Sequence, residues 1–581
     1  MNERSGTRVH PLPLKGVFRL GRWGDIWHKH ALSAVVALAV PDLILLAMGR
    51  LDLAVYTSAG AMCALYAHGL PYRARARALL GVILGMIASV GVALTAAALT
   101  RFAVVLVVVS AVLAALHKVA CDATRIGPPG NLIFTFMAAA CAFVPQRLAE
   151  VPFHLALAAV GAVIAWLVCM APAIVRPDGP QRIAVARALE AVVRLPRAGA
   201  DTAVATAVDA DGDVGANTGA NTGTDSGTDS GAVLRARHAA AAAVNAAWHT
   251  ILLVPPSPDR GALERLLVHA EEFLATGAVA DADRFAGWAA DLRRNRPLPE
   301  TDLTEAEAAE LAGVAVERAA WGGRPGLLSA FHPSSPLFPI GVRVAAGSAL
   351  AGLVSMAAGV GHPYWAIVTA AAVFQANATL SWQRALQRVL GNLAGLLLFV
   401  VLLPISRIGQ LALVLLVLLL QFATEALITR NYWLGTVCVT PMALLLTEFP
   451  GYQPAGQMIT DRWLDTCVGV AAGLLGCLLV TNRRTADRID AALGRVAAAQ
   501  DRAERLPEAG PAGPGEAFQA RSLLVAALVE LREATEIAAG EWWRDTPPEE
   551  RIARAERRGH RTLARLAEPV RDRVGSRPVG G

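Results

Sequence analysis

The sequence predicts an all-α, polytopic membrane protein with two blocks of six transmembrane helices, about twelve in all, and cytosolic helical domains. Of its 581 residues, 55% are hydrophobic, and the mean hydropathy is +0.45, which is too apolar for a soluble chain of this length. Only 17% of the residues are charged, and few of them fall within two long stretches, roughly 30–175 and 340–482. A helix that spans a bilayer needs about 20 mostly apolar residues, so each stretch has room for several spans.

The apolar runs within these stretches give the individual spans. In the first block they lie near 31–49, 51–70, 78–99, 102–118, 131–148 and 153–175. In the second block they lie near 341–360, 363–381, 389–405, 408–428, 432–448 and 463–481. The connecting loops are short, as in a bundle whose neighbouring helices are antiparallel.

The spans divide the chain into five predicted segments. These are a cytosolic N-terminus (1–30), the first block (31–175), a cytosolic helical domain (176–335), the second block (340–482), and cytosolic C-terminal helices with a tail (483–581). Apolar residues at three-to-four spacing predict helices in the middle segment, the last of them at 304–321. The ANTGANTG and TDSGTDSG repeats within about 199–231 lack apolar periodicity, which predicts a disordered insertion.

Arginine and lysine are unevenly distributed between the predicted loops, and this bias gives the orientation. With a cytosolic N-terminus, the inner loops hold the denser basic clusters, such as 73–77 and 384–388, and both termini lie in the cytosol. No cleavage site of small residues follows the first apolar run, so this run is expected to remain as an anchor. The predicted location is the plasma or inner membrane.

Composition and motifs exclude several function classes. The net charge is +6, and almost all the basic residues are arginines. No nucleic-acid motif accompanies this charge, so no nucleic-acid partner is predicted. The seven cysteines show neither a CxxC pair nor metal-ligand spacing, so no metal or other cofactor is predicted. The motifs GxxxxGK[ST], HExxH and GxSxG are missing from the sequence, and we predict that the protein is not an enzyme.

The two blocks match when they are offset by roughly 310 positions. The matching residues are Arg73, Arg77, Gly81 and Gly85 in the first block, and Arg384, Arg388, Gly391 and Gly395 in the second. Small residues four apart allow close helix packing in lipid, so the match is read either as packing with positive-inside topology or as a pair of cationic mouths that gather anions. Six helices per block imply a pseudo-twofold axis along the membrane normal.

Two segments of the second block carry a resemblance to a known family. Residues 362–398, HPYWAIVTAAAVFQANATLSWQRALQRVLGNLAGLLL, open with Tyr364 and Trp365 and continue through an arginine-rich turn to the glycines. Residues 461–476, DRWLDTCVGVAAGLLG, add Arg462 and Asp465. Both segments resemble the fusaric acid resistance protein-like (FUSC) family of membrane transporters, and the overall plan of the chain is similar to that family as well.

The resemblance implies export of small organic anions, typically aromatic carboxylic acids, with proton coupling as one driving force. Plant malate channels are implied as distant relatives. The first block departs from the family pattern, because Ala54, Val55 and Tyr56 stand where the second block has Tyr364 and Trp365 followed by alanine. The two blocks are therefore expected to differ in function.

Ionisable residues within the spans are candidates for the transport path, because a charge in lipid is costly unless it faces a cavity or a partner. Asp42 follows Pro41, which frees a backbone carbonyl, and is read either as a proton or gating site or as a neutral group bonded to the backbone. Arg462 and Asp465 can pair at i, i+3, and Glu425 lies near a cytosolic end; an interfacial position partly in water is the alternative for all three.

Other candidates on the path carry basic, amide or aromatic side chains. Arg384 and Arg388 are expected at the inner mouth. The amides are Gln375, Asn377 and Asn392, which suit a carboxylate or phenol but equally suit bonds between helices. Tyr364 and Trp365 are expected at the outer interface, either as part of an aromatic belt or as a stacking platform at the entrance.

These observations predict a secondary exporter of small organic anions. The predicted partners are the lipid bilayer and the anion, and a homo-oligomer is left open. An anion channel is the first alternative, because few carboxylates lie deep enough to couple transport to protons. A membrane scaffold that acts through its cytosolic domains, without transport, is the second.

Overall fold

A computed structural model describes most of the chain. The described residues are 17–21 and 25–211 with gaps at 19, 125 and 128, then 226–276, 282–299, 327–479 with gaps at 334, 336, 376 and 377, 485–505, 514–539 and part of 551–562. All regular structure in these ranges is helical, which confirms the all-α class.

The helices fall into two membrane halves that flank a helical domain. The first half contains α1 (Trp27–Ala47), α2 (Ala54–Ala61), α3 (Tyr72–Leu99), α4 (Ala103–Thr124), α5 (Leu132–Ala142), α6 (Val151–Met170) and the short α7 (Pro172–Val175). The domain contains α8 (Gly179–Asp211), α9 (Ser226–Leu252), α10 (Pro258–Thr276) and α11 (Ala282–Arg293). The second half contains α12 (Phe338–Ala357), α13 (Tyr364–Val373), α14 (Ala378–Ser406), α15 (Gln410–Ile428), α16 (Tyr432–Thr447) and α17 (Ala455–Leu479), and it is followed by α18 (Thr485–Arg505) and α19 (Pro514–Ala539).

Helix length and composition identify a multi-pass membrane protein. Seven helical segments in the described residues are long and apolar enough to cross a bilayer: Trp27–Ala47, Tyr72–Leu99, Ala103–Thr124, Leu148–Val175, Phe338–Ala357, Thr379–Ser406 and Gln410–Ile428. Shorter apolar segments of the two halves are Leu51–Leu65, Leu132–Ala142, Tyr364–Val373 and Tyr432–Thr447. The count of about twelve spans stays a prediction.

The second helix of each half is short and enclosed by protein. Nearly every residue of α2 and of α13 is buried. Each packs through a glycine on the sixth helix of its own half. A Cβ atom at Gly161 of α6 would lie 2.0 Å from the carbonyl oxygen of Thr57, and one at Gly469 of α17 would lie 2.6 Å from that of Ala366. These two helices therefore form the interior of the bundle rather than a surface toward lipid.

Contacts between the halves are reciprocal. The first helix of the first half, α1, packs on α15, the fourth helix of the second half. In the same way α12, the first helix of the second half, packs on α4. A contact of i with j that recurs as j with i is typical of a twofold relation. The helix pairs within each half also correspond, because α2 packs on α6 as α13 packs on α17.

The arginine and glycine stripes do not occupy equivalent faces. In α3, Arg77 and Gly81 are exposed, and a Cβ atom at Gly81 would meet no atom within 4 Å. In α14, Arg388 is buried, and a Cβ atom at Gly395 would lie 2.6 Å from Cβ of Thr440 in α16. The first stripe therefore turns outward at Arg73, Arg77 and Gly81, which share one helix face. Only Gly85 at its end approaches another helix, where an added Cβ atom would lie 3.5 Å from the ring of Phe134.

The interior arginine of α3 is instead Arg75, which lies between the two exposed ones and is 5% exposed. Its Nη1 atom donates to the carbonyl oxygen of Cys169 at 3.2 Å, and its Nη2 atom donates to that of His68. The first half thus holds its buried arginine by backbone carbonyls.

The helical domain has its own apolar core, which includes Leu189, Trp248 and Leu263. The predicted insertion at about 199–231 overlaps the end of α8 and the start of α9, and its centre, 212–225, lies outside the described residues. The helix predicted at 304–321 also lies outside them. The C-terminal helices α18 and α19 pack together around a third core.

Candidate functional site

Arg462 is the centre of a polar group inside the second half. It lies in the first turns of α17 and is 2% exposed. Its guanidinium carbon lies 3.8 Å from the ring centre of Trp365 in α13, which is cation–π distance. Its Nε and Nη1 atoms have no hydrogen-bond partner among the described residues. A buried cation whose donors lack partners is costly, so two donor positions of this guanidinium are open to acceptor oxygens.

Arg388 and Arg384 from α14 meet Tyr432 of α16. The Nη1 atom of Arg388 donates to the Tyr432 hydroxyl at 2.8 Å, and its Nη2 atom lies 3.5 Å from the hydroxyl of Thr369 in α13. The Arg384 guanidinium carbon lies 3.7 Å from the centre of the Tyr432 ring. Tyr432 therefore holds both arginines, one at its hydroxyl and one on its face.

The three arginines make this interior positive. Arg462 and Arg388 are close enough to repel each other electrostatically. Within the described part of the chain, neither they nor Arg384 form an ion pair with a carboxylate. Cations that face a protein interior without carboxylate partners are suited to bind an anion from outside the chain.

Two buried carboxylates flank Arg462 in sequence. Asp461 lies 3.0 Å from Nδ1 of His362 through its Oδ2 atom, and Asp465 follows one turn later. Asp465 is fully buried, and its Oδ1 atom accepts a hydrogen bond of 2.5 Å from Ser355 of α12. Its Oδ2 atom has no partner among the described residues. The pairing with Arg462 that the i, i+3 spacing allows is not formed, because the carboxylate turns to α12 while the guanidinium turns to α13.

Asn392 has a structural position. Its Nδ2 atom donates to the hydroxyl of Thr466 in α17 at 2.7 Å, and its Oδ1 atom accepts from the hydroxyl of Thr440 in α16 at 2.9 Å. The amide thus joins three helices. Of the two readings left open for Asn392, these contacts favour hydrogen bonding between helices.

Tyr364 and Trp365 are buried within the protein, which does not fit the reading as an aromatic belt, and the reading as a stacking platform at the entrance stays a prediction. They are 7% and 3% exposed. Their rings contact α5 of the first half, because Phe143 lies 6.0 Å from Tyr364 and Phe136 lies 5.4 Å from Trp365 between ring centres. An aromatic belt faces lipid and water, whereas this aromatic group joins the two halves next to Arg462.

The remaining candidates lie apart from the arginines or outside the description. Gln375 donates to the carbonyl oxygens of Phe374 and Ala372 at 3.0 and 3.3 Å, so it caps the break after α13. Asn377 is outside the described residues. Glu425 accepts a hydrogen bond of 3.2 Å from Gln421 within α15.

Asp42 is fully buried in the last third of α1, directly after Pro41. Neither of its carboxylate oxygens has a hydrogen-bond partner among the described residues. The reading of Asp42 as a group bonded to the freed backbone is therefore not supported, and it stays a candidate for holding a proton.

Sequence reasoning missed three members of the site: Ser355, Thr369 and Tyr432. Each comes from a helix other than α14 and α17, which carry the arginines. A serine or threonine in an apolar helix carries no signal of its own, since such residues are common at helix contacts. Tyr432 at the start of α16 resembles any interfacial tyrosine until the fold places it between two arginines.

Comparison with known proteins identifies the second half. Residues 350–476 match the model of the family described as fusaric acid resistance protein-like. The uncharacterized membrane protein YvaC of Bacillus subtilis is 30% identical over 219 residues, which are 37% of this chain and 33% of that protein. An uncharacterized protein of Synechocystis is 27% identical over 146 residues, which are 25% of this chain and 19% of that protein.

The chain thus spans about a third of the length of the first relative and about a fifth of the second. No solved structure matches the chain. The range matched by the family model contains Arg384, Arg388, Tyr432, Arg462 and Asp465. The resemblance predicted from the sequence is confirmed for residues 350–476, which match the fusaric acid resistance protein-like family in this multi-pass membrane protein.

Proposed function

We propose that the protein is a secondary transporter that exports small organic anions, aromatic carboxylates above all, through the interior of its second half. One observation carries the proposal. Arg462 is 2% exposed, has two donor nitrogens without partners among the described residues, and is stacked on Trp365. A carboxylate would provide the missing acceptors.

The surroundings of Arg462 favour an aromatic substrate. The ring of Trp365 lies 4.8 Å from that of Tyr364, and the two contact Phe136 and Phe143 across the junction of the halves. Aromatic pairs contribute about 0.5–1.5 kcal/mol beyond the area that they bury. An aromatic carboxylate carries both an anion for Arg462 and a ring for this group.

Asp465 supports a link between transport and protons. It lies one helical turn after Arg462, and its electrostatic interactions include one with that guanidinium. Protonation of Asp465 removes a negative charge beside Arg462 and strengthens the binding of an anion there. Anion binding and the proton on Asp465 are therefore coupled, and the Asp465→Asn variant mimics the protonated state.

The test is export of radiolabelled benzoate and a panel of other aromatic and aliphatic acids from cells, with and without a protonophore. The variants are Arg462→Gln, Asp465→Asn and Asp42→Asn, and the control is Arg101→Gln, which changes an exposed arginine in the turn between α3 and α4. We expect aromatic acid export that the protonophore abolishes, that Arg462→Gln removes, and that Arg101→Gln preserves. Export of no acid by the wild type would overturn the proposal and favour the scaffold.

An anion channel is the second candidate, because the three arginines Arg384, Arg388 and Arg462 form no ion pair with a carboxylate in the described part of the chain. Within that part, Asp465 is the one carboxylate available for proton coupling beside them once Asp461 is bonded to His362. Currents from the purified protein in planar bilayers separate the two functions. A reversal potential that follows the anion gradient and ignores a pH gradient supports the channel. Flux that a pH gradient alone can drive, and that Asp465→Asn uncouples, supports the transporter.

A further inference from the structure

A cavity of about 310 Å³ lies where the first membrane half meets the helical domain. It is lined from the membrane side by α1, the turn before α3 and the end of α6, and from the domain side by α8 and α9. We call it the junction cavity. Its volume falls at the lower end of the range for small-molecule sites, about 300–1,000 Å³. It is remote in the chain from the arginines of α14 and α17.

The lining of the junction cavity is cationic. Lys29, Arg75 and Arg187 line it, together with His28 and His68, and no aspartate or glutamate is among its lining residues. Polar donors complete the wall at Ser33, Tyr72 and Thr250. This combination of compact positive charge with hydroxyl groups is typical of sites that bind a phosphate group.

Arg75 is the buried member of this lining. It is 5% exposed, its guanidinium carbon lies 4.7 Å from the ring centre of Tyr72, and two of its nitrogens donate to backbone carbonyls. Its Nε atom has no hydrogen-bond partner among the described residues. No carboxylate forms an ion pair with Arg75 in the described part of the chain, so no acidic partner offsets its charge there.

Lys29 and Arg187 add charge from opposite sides. Lys29 is exposed and is repelled by Arg75, Arg176 and Arg187. Asp25 is the acidic residue that acts on it, but the Asp25 carboxylate is shared between Arg187 at 2.8 Å and Arg293 at 2.6 Å. One negative charge thus faces several positive ones, and the excess is favourable for an anion.

We propose that the junction cavity binds a small ligand with a phosphate group, and that the ligand joins the helical domain to the first membrane half. Its phosphate contacts Arg75 and Lys29 on the membrane side and Arg187 on the domain side. Binding therefore restrains α8 against α1 and α3, which gives the domain a way to sense a soluble phosphate compound or a phospholipid headgroup. The proposal does not depend on which anion the second half transports.

The test is calorimetric titration of the full-length protein with glycerol 3-phosphate, in nanodiscs of phosphatidylcholine alone and in nanodiscs that also contain phosphatidic acid. The variants are Lys29→Gln, Arg187→Gln and Arg75→Gln. The matched control is Arg194→Gln, an exposed arginine on the same helix as Arg187 that does not line the cavity. Lys29→Gln keeps the test valid if Arg75→Gln prevents folding, since Lys29 is at the surface.

We expect one site in neutral nanodiscs, with a Kd that rises roughly tenfold or more in each cavity variant and is unchanged in Arg194→Gln. If glycerol 3-phosphate binds in neutral nanodiscs but no longer binds in nanodiscs with phosphatidic acid, a lipid headgroup is the occupant of the same site. The proposal is overturned by affinity that the cavity variants leave unchanged. Protection of Lys29 from chemical acetylation reports on binding of the lipid in nanodiscs with phosphatidic acid. The proposal is equally overturned if glycerol 3-phosphate does not bind in neutral nanodiscs and the lipid gives no such protection.

Discussion

The two membrane halves share a helical plan but use their buried arginines differently. In the first half, Arg75 donates to two backbone carbonyls and lies at the junction with the helical domain. In the second half, Arg462 is stacked on Trp365, and two of its nitrogens have no partner among the described residues. The comparison teaches that an internal repeat can preserve helix packing while the partners of its buried arginines differ between the two copies.

The largest expected effect is a difference in export between variants of the two buried arginines. Arg462→Gln should lower benzoate export by roughly 100-fold or more, because it removes two charge-assisted hydrogen bonds of about 1.5–3 kcal/mol each. Arg75→Gln should reduce the amount of folded protein and leave export per folded molecule near that of the wild type. Export assays normalised to folded protein by fluorescence-detected size exclusion test both. Equal losses of export per molecule in the two variants would contradict the comparison.

The glycines of the two stripes differ in how closely other atoms pack against them. Gly395→Ala should destabilise the protein by about 1–3 kcal/mol, because its new Cβ atom would lie 2.6 Å from Cβ of Thr440. Gly81→Ala should be tolerated, since nothing lies within 4 Å of the added atom and alanine favours a helix over glycine by about 1 kcal/mol. Thermal unfolding in detergent measures both variants. A lower midpoint for Gly81→Ala than for Gly395→Ala would show that the stripes are packed in the opposite sense.

A smaller effect is expected when a tyrosine hydroxyl is removed from each half. Tyr432→Phe removes the hydroxyl that accepts from Arg388 and should raise the KM for benzoate export roughly tenfold. Tyr56→Phe in the first half removes a hydroxyl that accepts from Gln146 and should leave this KM unchanged. Concentration series of export in proteoliposomes measure both. A KM that rises equally in the two variants would place Tyr56 on the path as well.

The smallest effect concerns the junction of the N-terminal turn with the helical domain. Although partial burial alone would raise the pKa of Asp25, hydrogen bonds from Arg293 and Arg187 hold it below its ordinary value of 3.8. A carboxyl whose pKa is lowered by folding stabilises the fold above its ordinary pKa, and this stabilisation is lost as the pH falls through the lowered value.

Acid unfolding of the wild type and Asp25→Asn tests this contribution. We expect the wild type to lose at most about 1 kcal/mol as the pH falls below about 3.8, since these side chains are 30–41% exposed and solvent screens the pairs. The variant should lack that part of the loss. The range of the test is about pH 5 to about pH 3, roughly one unit on either side of the ordinary pKa. Stabilities of the two proteins that fall in parallel over this range would contradict the contribution of Asp25.

The fold class and several site residues could be predicted from the sequence, because hydropathy reports on lipid contact and a buried charge is rare enough to be noticed. Arg388 and Arg462 were found in this way. A local sequence match does not show which face of a helix packs against its neighbours. For this reason the stripe that contains Gly81 was equated with the one that contains Gly395. Trp365 was expected at an interface, because nothing in its own helix indicates that α5 of the other half covers it.

Equilibrium binding of radiolabelled benzoate to the purified protein in nanodiscs tests the central claim most directly, since it needs neither a gradient nor a transport cycle. The wild type and Arg101→Gln should show saturable binding, and Arg462→Gln should bind roughly 100-fold more weakly. Saturable binding of equal affinity in all three proteins would contradict the assignment of the anion site to Arg462.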